Sequence, residues 1–227
     1  MKPLTDILFA QRSVPRGDEL LPHVADLTSC LRATAYRRRG YKPEPFTKTK
    51  LAQFAIGRGY ELSVAADLTA AGHKVEQNLA IEIFGLTGHP DLFVDRELLI
   101  ECKTTDWSTP DDHASPAHVI QASAYGLALK AEFTDVLVKY GANFRDRENS
   151  HVERAFPVNP DLQRDWLEER AANVVAATDP EAPLPEPVPS PFNVNAKGVN
   201  WECGYCRFPI CEKHPRHDPD LAEEALA

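Results

Sequence analysis

Three short β-rich runs separated by tight turns restrict the fold of this chain more than any other feature. The runs cover residues 73–84, 88–94 and 98–103. They are separated by Gly85, by Gly88 and by the polar turn Asp95–Arg96–Glu97, which are typical strand-ending signals. The pattern predicts three strands in close succession, with Leu98, Leu99 and Ile100 forming a buried strand before the charged residues that follow.

Helical patterns lie on both sides of these strands. Apolar residues recur at three- and four-residue steps from Thr47 onwards, and Gly72 is the predicted C-terminal cap of that helix. An earlier helix is predicted over 23–36, followed by a loop at 40–45. Later elements are predicted as a helix, two strands and a helix over 117–131, 133–140, 151–158 and 160–178. This order predicts an α/β fold with a mixed central sheet flanked by helices.

Composition shifts divide the chain into four segments. Residues 1–46 form an N-terminal arm and helix, and residues 47–179 form the core. Residues 180–199 are interpreted as a Pro-rich spacer, because six prolines between 180 and 191 favour an extended polyproline-like conformation. Residues 200–227 hold a Cys-rich segment and an acidic tail.

Bulk properties exclude few functions. The apolar stretches are too short to span a bilayer, and the N-terminus lacks the pattern of a signal peptide, so we expect a cytoplasmic location. The net charge of -9 argues weakly against a nucleic-acid partner. However, the basic residues concentrate in the first quarter of the chain, and a catalytic metal site itself needs carboxylates.

A pair of carboxylates and a lysine form the central chemical signal. Gly88–His89–Pro90–Asp91 is followed after nine residues by Glu101–Cys102–Lys103. Side chains alternate along a strand, so Glu101 and Lys103 are predicted on one face and Cys102 on the other. A tight hairpin would bring Asp91 beside Glu101. Such a set can hold Mg²⁺ and activate water for phosphodiester hydrolysis, although a surface salt bridge at a strand end is the alternative.

The cysteines form a second signal. Cys203, Cys206 and Cys211 follow the spacing Cys-x-x-Cys-x-x-x-x-Cys, which is typical of metal ligation and lacks one ligand for a tetrahedral set. A local alternative completes the set with His214, which would give a small zinc module and leave Cys30 as a buried thiol. Cys102 is predicted to be a packed strand residue.

A basic and aromatic run lies next to Cys30. Arg32, Tyr36, Arg37, Arg38, Arg39, Tyr41 and Lys42 interleave charge with rings, as single-strand binders do. A solvated helix end is the alternative. We expect Arg37, Arg38 and Arg39, together with Arg58, to contact DNA.

The chain carries Cys30 first, then the carboxylate and lysine motif, and then the three cysteines that end at Cys211. With the motifs in this order, the chain resembles the PD-(D/E)XK nuclease superfamily. Within it, the chain is similar to RecB-like exonucleases of the CRISPR-associated and phage-encoded branch that carries an iron–sulfur cluster. Gly57–Arg58–Gly59–Tyr60–Glu61 resembles the first motif of the family. Asp91 and Glu101–Cys102–Lys103 correspond to the second and third, and Gln121 with Tyr125 to the Gln-x-x-x-Tyr motif of the RecB-like branch.

The resemblance implies roles for these residues. Glu61, Asp91, Glu101 and the backbone carbonyl of Cys102 would bind Mg²⁺ or Mn²⁺, and Lys103 would orient or deprotonate the attacking water. Gln121 and Tyr125, on one helix face, would help to position Lys103 and the DNA backbone. Glu61 departs from the nearest relatives, which usually place a metal-binding His there. Considered alone, Glu61 is equally an exposed helix carboxylate, and Tyr125 is a core residue.

The resemblance also supplies Cys30 as the fourth cysteine. Cys30, Cys203, Cys206 and Cys211 would then hold a [4Fe–4S] cluster, with Zn²⁺ as the alternative cofactor. Such a cluster would clamp the N-terminal and C-terminal segments together by closing a long loop.

The expected function is a metal-dependent DNA exonuclease, with single-stranded DNA or single-stranded ends as substrate. The alternatives are a noncatalytic nucleic-acid-binding adaptor on a nuclease fold and a zinc-stabilised structure-specific endonuclease. No Gly-rich phosphate loop is present, so an unwinding motor would be a separate protein. A helicase, recombination or CRISPR adaptation partner, and a phage-encoded protein acting in the host cytoplasm, are suggested by the resemblance alone.

Overall fold

A computed structural model of the chain describes residues 20–105, 112–141, 152–192 and 200–218. In chain order, its helices are α1 Leu31–Arg38, α2 Lys48–Ala70, α3 Pro116–Leu129, α4 Arg164–Thr178 and α5 Glu202–Tyr205. Its strands are β1 Val75–Glu76, β2 Ile81–Ile83, β3 Leu86–Gly88, β4 Leu92–Val94, β5 Leu98–Thr104, β6 Phe133–Lys139 and β7 Glu153–Pro157. Short 3-10 turns cover Val24–Thr28 and Pro160–Gln163.

The chain divides into two compact units, each of which is described by itself. Among the described residues, the first unit contains 46–81 and 89–161 with the gaps given above, and the second contains 20–45, 82–88 and 162–218. Within the described residues, no helix has the length and apolar character needed to cross a membrane.

A mixed five-stranded sheet forms the first unit. Its strand order is β1-β4-β5-β6-β7. The pair β5–β6 is parallel and the other three pairs are antiparallel. The predicted α/β class with a mixed sheet and flanking helices is therefore confirmed.

The two faces of this sheet pack against different helices. Ile100 and Cys102 of β5 lie in a core cluster with residues of α2 (Tyr60, Val64, Ala65 and Leu68). Glu101 and Lys103 alternate with them, and the register pairs these two residues with Val136 and Val138 of β6. Val136 and Val138 pack with Ala122 of α3. Since paired residues share a face, α2 covers one face and α3 the other, as the predicted alternation of Glu101, Cys102 and Lys103 requires.

Gly126 allows α3 to approach β6 closely. A Cβ atom at this position would lie 2.4 Å from Thr134 Oγ1 and 3.0 Å from Pro160 Cγ. Any side chain here would therefore push the helix away from the sheet. This close approach fixes the distance between the α3 side chains and the charged end of β5.

Two predicted elements differ from the structure. The run 73–84 does not form one strand, because Asn78 adopts a left-handed φ of 56° that breaks the extended conformation after β1. The predicted helix 23–36 is divided into the 3-10 turn and α1, because Ser29 is extended (ψ 160°) and Cys30 is the N-cap of α1.

The second unit is organised around the buried carboxylate of Asp26. This side chain is 0% exposed, and it accepts hydrogen bonds from Arg37 Nη1 at 2.7 Å and Arg38 Nε at 2.8 Å. Arg39 donates to the carbonyl oxygens of Ala177 and Ala182. The charge of Asp26 is thus neutralised by two guanidinium groups, which makes its burial tolerable.

These contacts change how the basic run is interpreted. Arg37, Arg38 and Arg39 were expected to contact DNA, but all three have partners inside the second unit, and the Arg38 side chain is only 7% exposed. The structure gives the run a folding role, and DNA contact by these residues stays a prediction.

We expect Arg38→Ala to destabilise the protein by about 3–5 kcal/mol, because it leaves the buried Asp26 carboxylate poorly compensated. Arg37→Ala is the matched control, since Arg37 contacts the same carboxylate but is 42% exposed; its cost should be about 1 kcal/mol or less. Chemical denaturation monitored by circular dichroism measures both values. Equal costs for the two variants would contradict this account.

Candidate functional site

The hairpin of β4 and β5 places Asp91 beside Glu101, as expected. Leu92 pairs with Ile100, so Asp91 lies across from Glu101 at the end of the pair. The Asp91 Oδ2 atom accepts a hydrogen bond of 2.8 Å from the backbone N–H of Cys102. This bond fixes the carboxylate of Asp91 against β5.

Glu101 is a buried carboxylate in the first unit. Its side chain is 1% exposed. Lys103 Nζ donates a hydrogen bond to Glu101 Oε1, while Oε2 is buried and has no hydrogen-bond partner among the described residues. A buried carboxylate oxygen without a donor is costly, so this atom is suited to a cation.

The pKa shifts of the site residues show that its negative charge exceeds its positive charge. Burial, together with the charge of Glu101, raises the pKa of Asp91 to about 7. Burial also raises the pKa of Glu101, against the opposing effect of Lys103. Burial alone would lower the pKa of Lys103, but the two carboxylates outweigh it and the pKa is raised. One ammonium group therefore faces two carboxylates, and a divalent cation would favour the ionised form of both.

Helix α3 adds a polar pair to the same face. Gln121 Nε2 donates to the hydroxyl oxygen of Tyr125 at 3.4 Å, and Tyr125 is 1% exposed. Burial, followed by the charge of Glu101, raises the pKa of Tyr125. The phenol therefore stays protonated and can act as a hydrogen-bond donor. The two side chains share one face of α3, as their spacing predicts, and their role stays a prediction.

His118 is a site residue that the sequence analysis missed. Burial, followed by the charge of Lys103, lowers the pKa of His118 to about 3. The imidazole is therefore neutral, and its Nδ1 atom is buried with no hydrogen-bond partner among the described residues. The available signal was helical spacing, because His118 lies three residues before Gln121 and seven before Tyr125 on one face of α3.

Glu61 and Arg58 lie on α2 at the outer side of the site. Arg58 Nη1 donates to Glu61 Oε2 at 2.6 Å, and Arg58 Nη2 donates to Asn78 Oδ1 at 3.3 Å. The charge of Glu61 contributes to the raised pKa values of Asp91 and Glu101, so Glu61 lies close enough to act on them electrostatically. It is held by Arg58, however, and shares no hydrogen bond with either carboxylate among those found in the described residues.

The donor set fits Mg²⁺ or Mn²⁺ in part. Within the described ranges, no three or more His, Cys, Asp or Glu side chains are grouped so that they could hold a metal ion. The structure thus brings Asp91 and Glu101 together and leaves Glu61 paired with Arg58. Mg²⁺ commonly needs only one or two carboxylates, with water and phosphate as its other ligands, and the partnerless Glu101 Oε2 suits such an ion.

Four cysteines line one pocket in the second unit. Cys30, Cys203, Cys206 and Cys211 lie around a small pocket that is partly open to solvent. Cys30 and Cys211 are buried and pack with Tyr36 and Phe208. Among the described residues, these four thiols do not form a group that could hold a metal ion as they stand, so an iron–sulfur cluster at this pocket stays a prediction.

His214 lines the same pocket, but both of its ring nitrogens have partners. Nδ1 accepts a hydrogen bond from the backbone N–H of Arg216 at 3.0 Å. Nε2 lies 3.0 Å from the carbonyl oxygen of Cys206, to which it donates. Zinc binding requires a free imidazole lone pair, so the local zinc alternative would need one of these bonds to break.

Glu202 is a second residue that the sequence analysis missed. Its Oε1 accepts from the backbone N–H of Cys30, and its Oε2 accepts from that of Ser190, both at 2.6 Å. One carboxylate thus joins the segments that carry Cys30 and Cys203. No local pattern indicates this role, because the two partners are backbone groups distant in sequence.

Comparison with known proteins shows the fold. No protein-family model matches the chain, and no curated protein matches it in sequence. The crystal structure of SSO0001 superimposes with a TM-score of 0.56 and 19% identity, covering 93% of this chain and 96% of that chain. At this identity the two chains share a fold, and nothing follows about activity.

Two exonuclease structures resemble the chain more distantly. The alkaline exonuclease LHK-Exo, in complex with dAMP, has a TM-score of 0.47 at 14% identity and covers 76% of this chain and 92% of its own. A phage-related exonuclease from Haemophilus somnus has a TM-score of 0.42 at 11% identity and covers 70% of this chain and 93% of its own. These scores are too low to carry activity over, so function has to be judged from the residues of the site.

We expect the metal-free protein to lose stability as pH rises from about 4, near the unfolded pKa of an Asp side chain, to the folded pKa of Asp91 at about 7. The pKa of Asp91 is raised to about 7, above its unfolded value near ~3.9. A raised carboxyl pKa stabilises the fold while the group is protonated, and this contribution is lost as pH passes the folded pKa. Thermal unfolding in EDTA at several pH values measures the loss, which Asp91→Asn should reduce. An identical pH dependence in that variant would rule out Asp91 as the cause.

Proposed function

We propose that this chain is a Mg²⁺- or Mn²⁺-dependent deoxyribonuclease that hydrolyses phosphodiester bonds at DNA ends, with single-stranded DNA as its substrate. The observation that carries the proposal is the buried Glu101 carboxylate. One of its oxygens accepts a hydrogen bond from Lys103, and the other has no partner in the part of the chain that the structure describes. A carboxylate buried only for stability would have both oxygens satisfied.

The proximity of Asp91 and Glu101 supports two of the proposed metal ligands. Asp91, Glu101 and the carbonyl of Cys102 would hold the ion, with Glu61 as a further ligand once it is released from Arg58. When bound, the ion would neutralise the negative charge that develops on the phosphate. Asp91 is already oriented by the Cys102 N–H, so little rearrangement is needed for it to bind.

Lys103 and the α3 residues would act on the reacting groups. The ammonium of Lys103 would orient the attacking water by hydrogen bonding and offset the charge of the phosphate. Tyr125, which stays protonated because its pKa is raised by burial, would donate a hydrogen bond with Gln121 to keep the DNA backbone in place. The neutral His118 would pack beside Lys103 without adding a competing positive charge.

The second part of the proposal is a [4Fe–4S] cluster bound by Cys30, Cys203, Cys206 and Cys211. Support comes from the shared pocket of the four cysteines and from the occupied nitrogens of His214. The cluster would join α1 to the Cys-rich segment. The assignment to the CRISPR-associated and phage branch rests on the motif resemblance alone.

We expect Glu101→Gln and Lys103→Ala each to reduce Mg²⁺-dependent cleavage of DNA by at least about 100-fold, because both groups act on the transition state. Release of acid-soluble nucleotides from labelled single-stranded DNA measures the rate.

The matched control for Glu101→Gln is Glu97→Gln in the turn of the same hairpin. Glu97 is exposed, and its variant should keep full activity. Circular dichroism should show folded protein in all three cases. Full activity in folded Glu101→Gln protein would refute the assignment of this site.

We expect Cys30→Ala to lose bound iron and the visible colour of anaerobically purified protein, as Cys206→Ala should, because each removes a cluster ligand. His214→Ala should retain the iron. Iron and zinc analysis together with the visible absorption spectrum measures these outcomes.

Cys102→Ala is the matched control, since Cys102 is equally buried but lies in the core of the first unit. It should keep its metal and lose only packing energy. A Cys30→Ala protein with its full metal content would exclude the four-cysteine cluster. The nuclease proposal would survive, because it depends on Asp91, Glu101 and Lys103.

A further inference from the structure

One face of α2 packs against the sheet in the C-terminal half of the helix and is exposed in the N-terminal half. In its C-terminal half, Val64, Ala65 and Leu68 pack against the sheet. Three- and four-residue steps continue the same face towards the N-terminus through Glu61, Arg58, Phe54 and Lys50. The side of α2 that faces the sheet therefore extends beyond the packed region, past Glu61 at the candidate active site.

The extension is apolar and exposed. Phe54 is 46% exposed. Its ring lies 5.1 Å from that of Phe46 in an edge-to-face arrangement, and Phe46 is 39% exposed. Two neighbouring phenylalanines on the surface leave apolar area in water that folding does not explain.

On the N-terminal side of Glu61, the charged residues of this part of α2 are all basic. Lys48, Lys50 and Arg58 are its charged residues, and no Asp or Glu occurs between Pro45 and Tyr60. Lys50 Nζ lies 5.2 Å from the centre of the Phe54 ring. This is a locally basic surface in a chain whose net charge is -9, so the local charge is complementary to phosphate.

Exposed rings next to lysines are the pattern that binds single-stranded DNA, because bases stack on rings and phosphates pair with ammonium groups. The run Arg37–Arg38–Arg39 is occupied by Asp26 and backbone carbonyls, so it offers less to a phosphate. Glu61 lies eleven positions after Lys50, a distance of about 17 Å along the helix. That surface leads directly to the acidic site.

We propose that Lys50, Phe54 and Arg58 form a binding surface for single-stranded DNA that guides the strand into the site of Asp91 and Glu101. Phe54 stacks with a base, and Lys50 binds a phosphate. Arg58 alternates between Glu61 and a phosphate near the cleaved bond. The proposal deepens the nuclease function proposed above and rests on it for the identity of the ligand.

The test is binding of fluorescein-labelled oligo(dT) to the full chain, with Ca²⁺ in place of Mg²⁺ to suppress cleavage. Phe54→Ala should weaken binding about tenfold, the size expected for loss of one stacked base. Lys50→Ala should weaken binding and lower the slope of log K against log salt by about one. Phe54→Trp should bind as wild type does, with additional tryptophan fluorescence that is quenched by the DNA.

Two controls match these variants on the same unit. Phe133 is 56% exposed at the start of β6, and Lys74 has a side chain that is 69% exposed. Phe133→Ala and Lys74→Ala should leave affinity and salt slope unchanged. Sedimentation of each variant detects the competing occupant, a second copy of the chain.

Several outcomes separate this proposal from the nuclease proposal. If Phe54→Ala binds DNA as tightly as Phe133→Ala while Mg²⁺-dependent cleavage persists, the binding surface is wrong and the nuclease stands. If binding depends on Phe54 but wild type cleaves nothing, the surface stands and the nuclease is wrong. Loss of a dimer in Phe54→Ala with unchanged DNA affinity would assign the surface to a second copy and overturn the proposal.

Discussion

The burial of the Glu101 carboxylate is the constraint on which the first unit depends. Transfer of a carboxylate from water into a protein interior costs several kcal/mol unless its oxygens are paired. Lys103 satisfies one oxygen, and the other has no partner among the described residues. The fold keeps this costly arrangement in the middle of the central strand β5, across from Asp91. A bound divalent cation would remove this cost, and the metal ion proposed for this site rests on that argument.

Two other carboxylates of the chain, Asp26 and Glu202, have hydrogen-bond partners on both oxygens. Asp26 receives two arginines, one on each oxygen. Glu202 receives a backbone N–H on each oxygen, from Cys30 and from Ser190. In both residues the oxygens are satisfied without any ligand. In Glu101, by contrast, one oxygen has no hydrogen-bond partner among the described residues. We use this difference to distinguish a structural carboxylate from a candidate catalytic one.

The helices on the two faces of the sheet bring further side chains close to Glu101 and Lys103. Gly126 lets α3 lie close to β6, which brings Gln121, Tyr125 and His118 towards Lys103. Helix α2 packs on the other face and carries Glu61 to the edge of the site. Beyond that edge, its exposed and basic extension faces solvent. Helices on both faces of the sheet therefore position the side chains of the candidate site, which lie on β5 and at the start of β4.

Local patterns in the sequence determined the order of helices and strands, the mixed α/β class and the convergence of Asp91, Glu101 and Lys103, because strand alternation and hairpin pairing are short-range rules. Some local details still escaped, such as the left-handed Asn78 that ends β1. Tertiary structure alone decided which charged groups meet across long separations. It pairs Arg38 with Asp26 and Glu202 with the backbone N–H of Cys30, and it provides partners for both ring nitrogens of His214. Over the described ranges it provides no donor for Glu101 Oε2. A side chain's type states what it can bind, but only packing fixes which partner is within reach and how much water remains to compete for it.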